Sequence, residues 1–293
     1  MLDRMATTEL APRTRGGDAR AAGAAMLLGS ALSNQVGAAT AALAFPVLGP
    51  PGVVAVRQWV AAVVLLAVGR PRLRSFTARQ WWPVLALAAV FATMNLSLYT
   101  AVDRIGLGLA VTLEFLGPLA IALAGSRRRT DLACAVAAAV AVGALMRPQP
   151  STDYLGMGLA LVAASCWACY ILLNRTVGRR LPGAAGSAAA AGVSGLLYVP
   201  IGVFAMLHHP PTPGALAAAL TAGLLSSALP FLVDLMALRR VPTQFFGAFM
   251  SVNPVMAALV GLVLLDQRLD AVAWAAIGVI VAANTVAVLR RAG

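Results

Sequence analysis

The chain has 293 residues, 60% of them hydrophobic and 11% charged, with a mean hydropathy of +0.86. A soluble domain of this length carries far more charge on its surface, so that class is excluded. The formal charge is +12 and every basic residue is an arginine, clustered between apolar runs rather than along one basic face, which argues against a nucleic-acid partner.

The apolar runs have the length needed to cross about 30 Å of hydrocarbon. They must be helices, because no alternating ten-residue strand pattern is present and open backbone groups find no water in a bilayer. The predicted elements begin with a polar tail over 1–20, expected to be disordered. Ten spans follow, near 21–44, 52–69, 81–101, 107–124, 131–146, 155–176, 184–207, 214–238, 244–265 and 270–289. The first run is long and holds Asn34 and Gln35, so it reads as an uncleaved span and not as a signal peptide. Turn chemistry marks PVLGPPG at 46–52, RPQPS at 147–151 and HHPPTPG at 208–214. His208 and His209 in the last of these are a remote metal candidate, and no metal or cofactor is expected. Cys134, Cys166 and Cys169 all fall inside spans and read as small packing residues.

Ten spans with a cytoplasmic N-terminus place the arginines of the tail, of 70–79, 127–129, 175–180, 239–240 and 290–291 on the inner side. Arg104, Arg147 and Arg268 remain outside, an asymmetry that follows the positive-inside rule. An odd number of spans would scramble it. The expected protein is an all-α polytopic membrane protein with both termini cytoplasmic.

Ten divides into two sets of five, and an odd set makes the second enter the membrane from the opposite side. Sliding the chain by 136 residues lays YTAVDRIGLG (99–108) on LMALRRVPTQ (235–244), and GPLAIALAG (117–125) on NPVMAALVG (253–261). Pro118 meets Pro254, and Gly125 meets Gly261. Inverted five-helix repeats with interrupted helices are typical of secondary transporters, whose cargo site lies between the halves. The expected division is 21–147 and 148–293. Gly29, Ser33 and Gly37, spaced by four on the first span, suit close helix packing.

The stretches LGLAVTLEFLGPLAIALAGSRR (107–128), SCWACYIL (165–172), SSALPFLVDLMALRRVPTQFFGAFMS (226–251) and NPVMAALVGLVLL (253–265) give the chain a family likeness. It resembles the EamA-type members of the drug/metabolite transporter superfamily, and among them the bacterial threonine/homoserine exporters. The resemblance implies a ten-helix, two-repeat fold and export of small amino-acid-like metabolites across the bacterial inner membrane. Asn253 stands where those exporters usually carry an acidic residue, and Gln267 where they carry a loop glutamate.

Glu114 lies in VTLEFLGPLAIAL (111–123), otherwise wholly apolar, four residues ahead of Pro118. Helical rise puts it roughly 10 Å below the outer boundary, and Arg57 of the second span about 7–8 Å down. Each charge costs on the order of 3 kcal/mol at the bilayer centre if left unpaired. Two readings stay open. Glu114 either lines a cavity, binding a cargo ammonium or carrying a coupling proton, or it forms a permanent ion pair with Arg57. A proline deprives the carbonyl four residues earlier of its donor, so Pro118 and Pro254 free the carbonyls of Glu114 and Met250. Such groups are tolerated where they line a cavity.

Further candidate cargo contacts are Asn95 and Tyr99, one turn apart on the third span, Trp167 and Tyr170 on the sixth, and Asn253 beside Pro254. Asp234 is a second coupling candidate, although Arg239 and Arg240 favour an interfacial partner. No P-loop, nucleophile elbow, zinc helix or dinucleotide fingerprint is present. Energy must then come from gradients, where one proton crossing about 100–150 mV supplies roughly 2.3–3.5 kcal/mol. The sequence therefore reads as a proton-coupled secondary exporter and not an enzyme. The alternatives are export of other metabolites or cationic drugs, or a membrane-embedded lipid-processing enzyme, which would need catalytic groups clustered at one interface.

Overall fold

The computed structural model describes residues 15–124, 129–145, 153–182, 184–230, 233 and 251–290, and these form helices and no strands. Helix α1 (Arg15–Ala42) already begins within the expected tail. Then come α2 (Phe45–Gly69), a 3₁₀ turn at Leu73–Ser75, and α3 (Ala78–Ile105). The run containing Glu114 is split into α4 (Leu107–Glu114) and α5 (Leu116–Leu123). The remaining helices are α6 (Arg129–Leu145), α7 (Tyr154–Arg180), α8 (Ala185–His208), α9 (Pro213–Gly223), α10 (Asn253–Leu265) and α11 (Ala271–Arg290).

Local chemistry explains most of the ends. Thr77 and Gln80 close a capping box on α3, with the Thr77 amide donating to Gln80 Oε1 at 2.9 Å. Asp153 caps α7 by accepting from the Gly156 amide, Thr212 caps α9 through Ala215, and Asp270 caps α11 through Ala273. The stretch 46–52, expected as a connecting turn, is instead helical, and α2 bends at Gly49, whose φ of +63° favours glycine. Pro50 and Pro51 then restart the helix, where a missing N–H costs nothing.

The α4–α5 break follows from Pro118, which cannot supply the next rung of the helix. Asn284, buried on α11, reaches into the break and donates to the Phe115 carbonyl at 3.4 Å. Gly117 lets α5 press against α7: a Cβ there would lie 2.1 Å from the Ala164 carbonyl oxygen. Helix α9 runs into a π-helical turn at Leu224–Ala228. Helix α10 begins at Asn253 with Pro254 in its first turn, so this proline sits at a helix start. Met250, Asp234, Arg239 and Arg240 lie outside the described residues.

Helix α2 packs along α8, α3 along α7, α6 along α11 and α4 against α10, while α1 lies against α9 and α10. Four described helices, α2, α3, α7 and α8, are long and apolar enough to cross a membrane by themselves. The distribution of polarity is that of a membrane protein. Val263, Leu207 and Leu196 are 77%, 74% and 70% exposed, whereas Gln35, Arg57, Gln58, Glu114, Asn253 and Asn284 are buried. An aqueous solvent would drive these groups the other way. The chain is an all-helical polytopic membrane protein.

Of the small residues on α1, Gly37 and Ser33 meet the π turn, while nothing lies within 4 Å of the Gly29 position. The cysteines are unbonded. The His208 ring stacks on Phe204 with its Nδ1 2.9 Å from the Phe204 carbonyl oxygen.

Candidate functional site

Where α1, α2, α3, α4, α7, α10 and the π turn converge they enclose a cavity of about 330 Å³. Glu114, Arg57, Asn95, Tyr99, Trp167, Tyr170 and Asn253 all line it. Seven residues from five predicted spans are thereby brought to one place. Its volume lies at the lower end of the range for small-molecule sites.

Arg57 makes four hydrogen bonds in the wall. Its Nε donates to Ser226 Oγ at 2.9 Å and its Nη1 to Asn95 Oδ1 at 2.6 Å. Its Nη2 reaches the Ser226 carbonyl and Ser227 Oγ, both at 3.3 Å. The guanidinium also lies over the Tyr99 ring, 4.4 Å from its centroid, a cation–π contact that lowers the cost of burial. Every one of these partners is neutral. Asn95 and Tyr99 act on the same guanidinium because one helical turn separates them.

Glu114 ends α4 and is 6% exposed, Arg57 7%. Among the described residues no side-chain hydrogen bond or salt bridge reaches the Glu114 carboxylate; the ion pairs there are Arg104–Asp153 and Arg268–Asp266. Of the two readings open from sequence, the permanent ion pair is therefore not formed. The cavity keeps a cation satisfied by neutral dipoles and a carboxylate without a close partner.

The remaining lining is largely amide and aromatic. Gln35 Nε2 donates to Asn253 Oδ1 at 3.0 Å, joining α1 to α10. Trp167 meets Phe115 edge-on at 4.7 Å, and Tyr170 packs on Phe91 at 5.4 Å. Gln58 Nε2, also in the lining, donates to Ser194 Oγ at 2.9 Å, and Trp59 Nε1 donates to the Gly195 carbonyl at 3.1 Å.

Sequence reasoning missed Gln58, Ser226 and Ser227. A signal for the serines was present: Ser226 stands four residues before Pro230, as Glu114 stands four before Pro118. Gln267 does not face the cavity. Its Oε1 accepts from the Leu107 amide at 2.8 Å and so caps α4, next to Gly106 at φ +83°. At the same end of the bundle Arg104 grips Asp153 at 2.9 Å. The Asp153 carboxyl is held below its usual range, first by the Gly156 amide and then by the Arg104 guanidinium.

Comparison with known proteins agrees with this architecture. Residues 154–289 match the EamA-like transporter family. The chain is 36% identical over 266 residues to the threonine/homoserine exporter RhtA of Escherichia coli (strain K12), covering 88% of each protein. RhtA of Salmonella typhimurium (strain LT2) matches at the same identity and coverage. A crystal structure with 19% identity aligns at a TM-score of 0.57 over 93% of this chain and 99% of that one, which speaks to the fold alone.

Proposed function

From its membership of the EamA-like transporter family, which makes the chain a transporter and not an enzyme, we propose that it exports small amino acids resembling threonine and homoserine from the cytoplasm by alternating access. The carrying observation is the buried Arg57 and the buried Glu114, which share one cavity and form no salt bridge with each other. A neutral amino acid is a zwitterion and complements both charges at once. Glu114 receives the ammonium. Arg57 receives the carboxylate, with the four bonds above leaving one of its five N–H groups free. Asn95, Tyr99 and Asn253 edge the site, and Trp167 and Tyr170 form its apolar wall.

Glu114 is also the coupling group in this proposal. When it takes a proton it releases the ammonium, so one site serves cargo and proton in turn. Asp234 remains a second candidate from sequence.

Two inverted five-helix repeats, 21–147 and 148–293, supply the framework. The hydrogen bonds Gln58–Ser194 and Trp59–Gly195 support this division, because both join residues 136 apart, the offset at which the sequence aligns with itself. The arginine distribution supports cytoplasmic termini in a bacterial inner membrane.

The test uses purified protein in liposomes loaded with labelled threonine, with and without a proton gradient, comparing wild type with Glu114→Gln. Loss of gradient stimulation with passive exchange retained supports Glu114 as the coupling group. Stimulation that survives the substitution assigns the proton elsewhere. Absence of threonine flux in the wild type overturns the cargo assignment.

A further inference from the structure

An arginine recognises a carboxylate well when its planar fork is held still, since otherwise binding must first order a long flexible stem. Arg57 is held from an unexpected direction. Its partners Ser226 and Ser227 belong to the π-helical turn 169 and 170 residues further along the chain.

The turn is built to present acceptors. Pro230 has no N–H, so it gives a helical bond to neither the Leu225 nor the Ser226 carbonyl. Both carbonyls are met from outside the helix: Ser33 Oγ donates to Leu225 at 2.7 Å, and Arg57 Nη2 to Ser226 at 3.3 Å. Ser226 Oγ donates its own hydrogen to the Ala222 carbonyl at 2.6 Å, which leaves its lone pair for Arg57 Nε. The widened π turn brings two consecutive serines to the same guanidinium. Gly37 admits α1 against the turn, because a Cβ there would lie 2.8 Å from the Ser226 amide nitrogen.

We propose that Ser226, Ser227 and Pro230 are positioning residues for carboxylate recognition. They hold the Arg57 guanidinium in the cavity wall without neutralising its charge, so its attraction and its one free N–H remain for the cargo. This rests on the assignment of Arg57 as carboxylate receptor.

The experiment measures binding to the full-length protein in nanodiscs, with L-threonine and with L-threoninamide, which keeps the ammonium and side chain but lacks the carboxylate. Ser226→Ala is expected to weaken threonine binding about tenfold, the scale of a hydrogen bond to a charged group, and to leave threoninamide unchanged. Ser226→Thr, which keeps the hydroxyl, restores threonine affinity. Pro230→Ala supplies a competing backbone N–H and reproduces the selective loss. Ser227→Ala shows it in smaller measure and serves if Ser226→Ala does not fold. Equal loss for both ligands, or loss for neither in Ser226→Ala and Pro230→Ala, overturns the proposal. A wild type that binds neither ligand overturns the cargo assignment itself, and the positioning role with it.

Discussion

Gln58 donates to the Ser194 hydroxyl at 2.9 Å, and its neighbour Trp59 repeats the same 136-residue step to Gly195. Residues touch their own counterparts when they lie near a two-fold axis relating two repeats. In the two-repeat division proposed above, the α2–α8 contact is where such an axis would pass, and Gly195 and Gly202 make that contact close: added Cβ atoms would lie 2.8 Å from Ala62 and 2.6 Å from Trp59. Replacing Gln58 with Leu is expected to destabilise the protein by about 1–3 kcal/mol, because Ser194 is left unsatisfied in the core. Adding Ser194→Ala to Gln58→Leu recovers much of that loss, read as thermal unfolding in detergent across the double-mutant cycle.

Gly117 makes a second expectation about packing. A Cβ at this position would stand 2.1 Å from the Ala164 carbonyl oxygen, so Gly117→Ala must push α5 away from α7. The expected cost is about 1–3 kcal/mol, the usual range for overpacking. An unchanged melting temperature would mean that the helices separate without strain.

Asp153 supplies a pH dependence outside the spans. Its carboxyl is lowered on folding by Gly156 and Arg104. Such a group stabilises the fold above its unfolded value, about pH 4. That contribution disappears as pH falls through the lower folded value. Asp153→Asn keeps a capping oxygen and removes the charge, so it is expected to melt earlier than wild type at neutral pH. The gap should close in acid. A gap that persists at about pH 2 would assign the effect to cap geometry instead of charge.

Gln267 tests the cap on α4. Gln267→Ala removes the acceptor for the Leu107 amide and is expected to cost about 1 kcal/mol. Gln267→Glu keeps the acceptor and adds negative charge at a helix N-terminus, which is worth about 0.3–1 kcal/mol in the stabilising direction. Melting temperatures ordered Glu, Gln, Ala from high to low are the expected result.

Much of the arrangement was legible in the chain. The length of the apolar runs located the helices, and the cost of burying charge singled out Glu114 and Arg57 before any contact was known. Their similar depth made a shared site or a mutual ion pair the two readings. The nature of their relationship was not legible, since a depth argument supplies no lateral direction and pairs opposite charges by default. What decided it was Ser226, which no local pattern connects to Arg57 across 169 residues. The helical stretch before Gly49 was missed for a different reason: prolines and glycines read as a turn when they also fit the first turn of a helix.

The distance along the chain between Arg57 and Ser226 has a consequence for synthesis. At about 5–20 residues per second, the ribosome adds the intervening 169 residues in about 8–34 s. Until that interval ends, the acceptors that the π turn gives Arg57 do not yet exist. An unpaired arginine at the bilayer centre costs about 3 kcal/mol. Within the nascent first half, Asn95 and Tyr99 are the groups already made that hold the Arg57 guanidinium in the finished fold. Substitutions at these two positions should reduce the yield of inserted protein more than the melting temperature of the molecules that reach the finished fold.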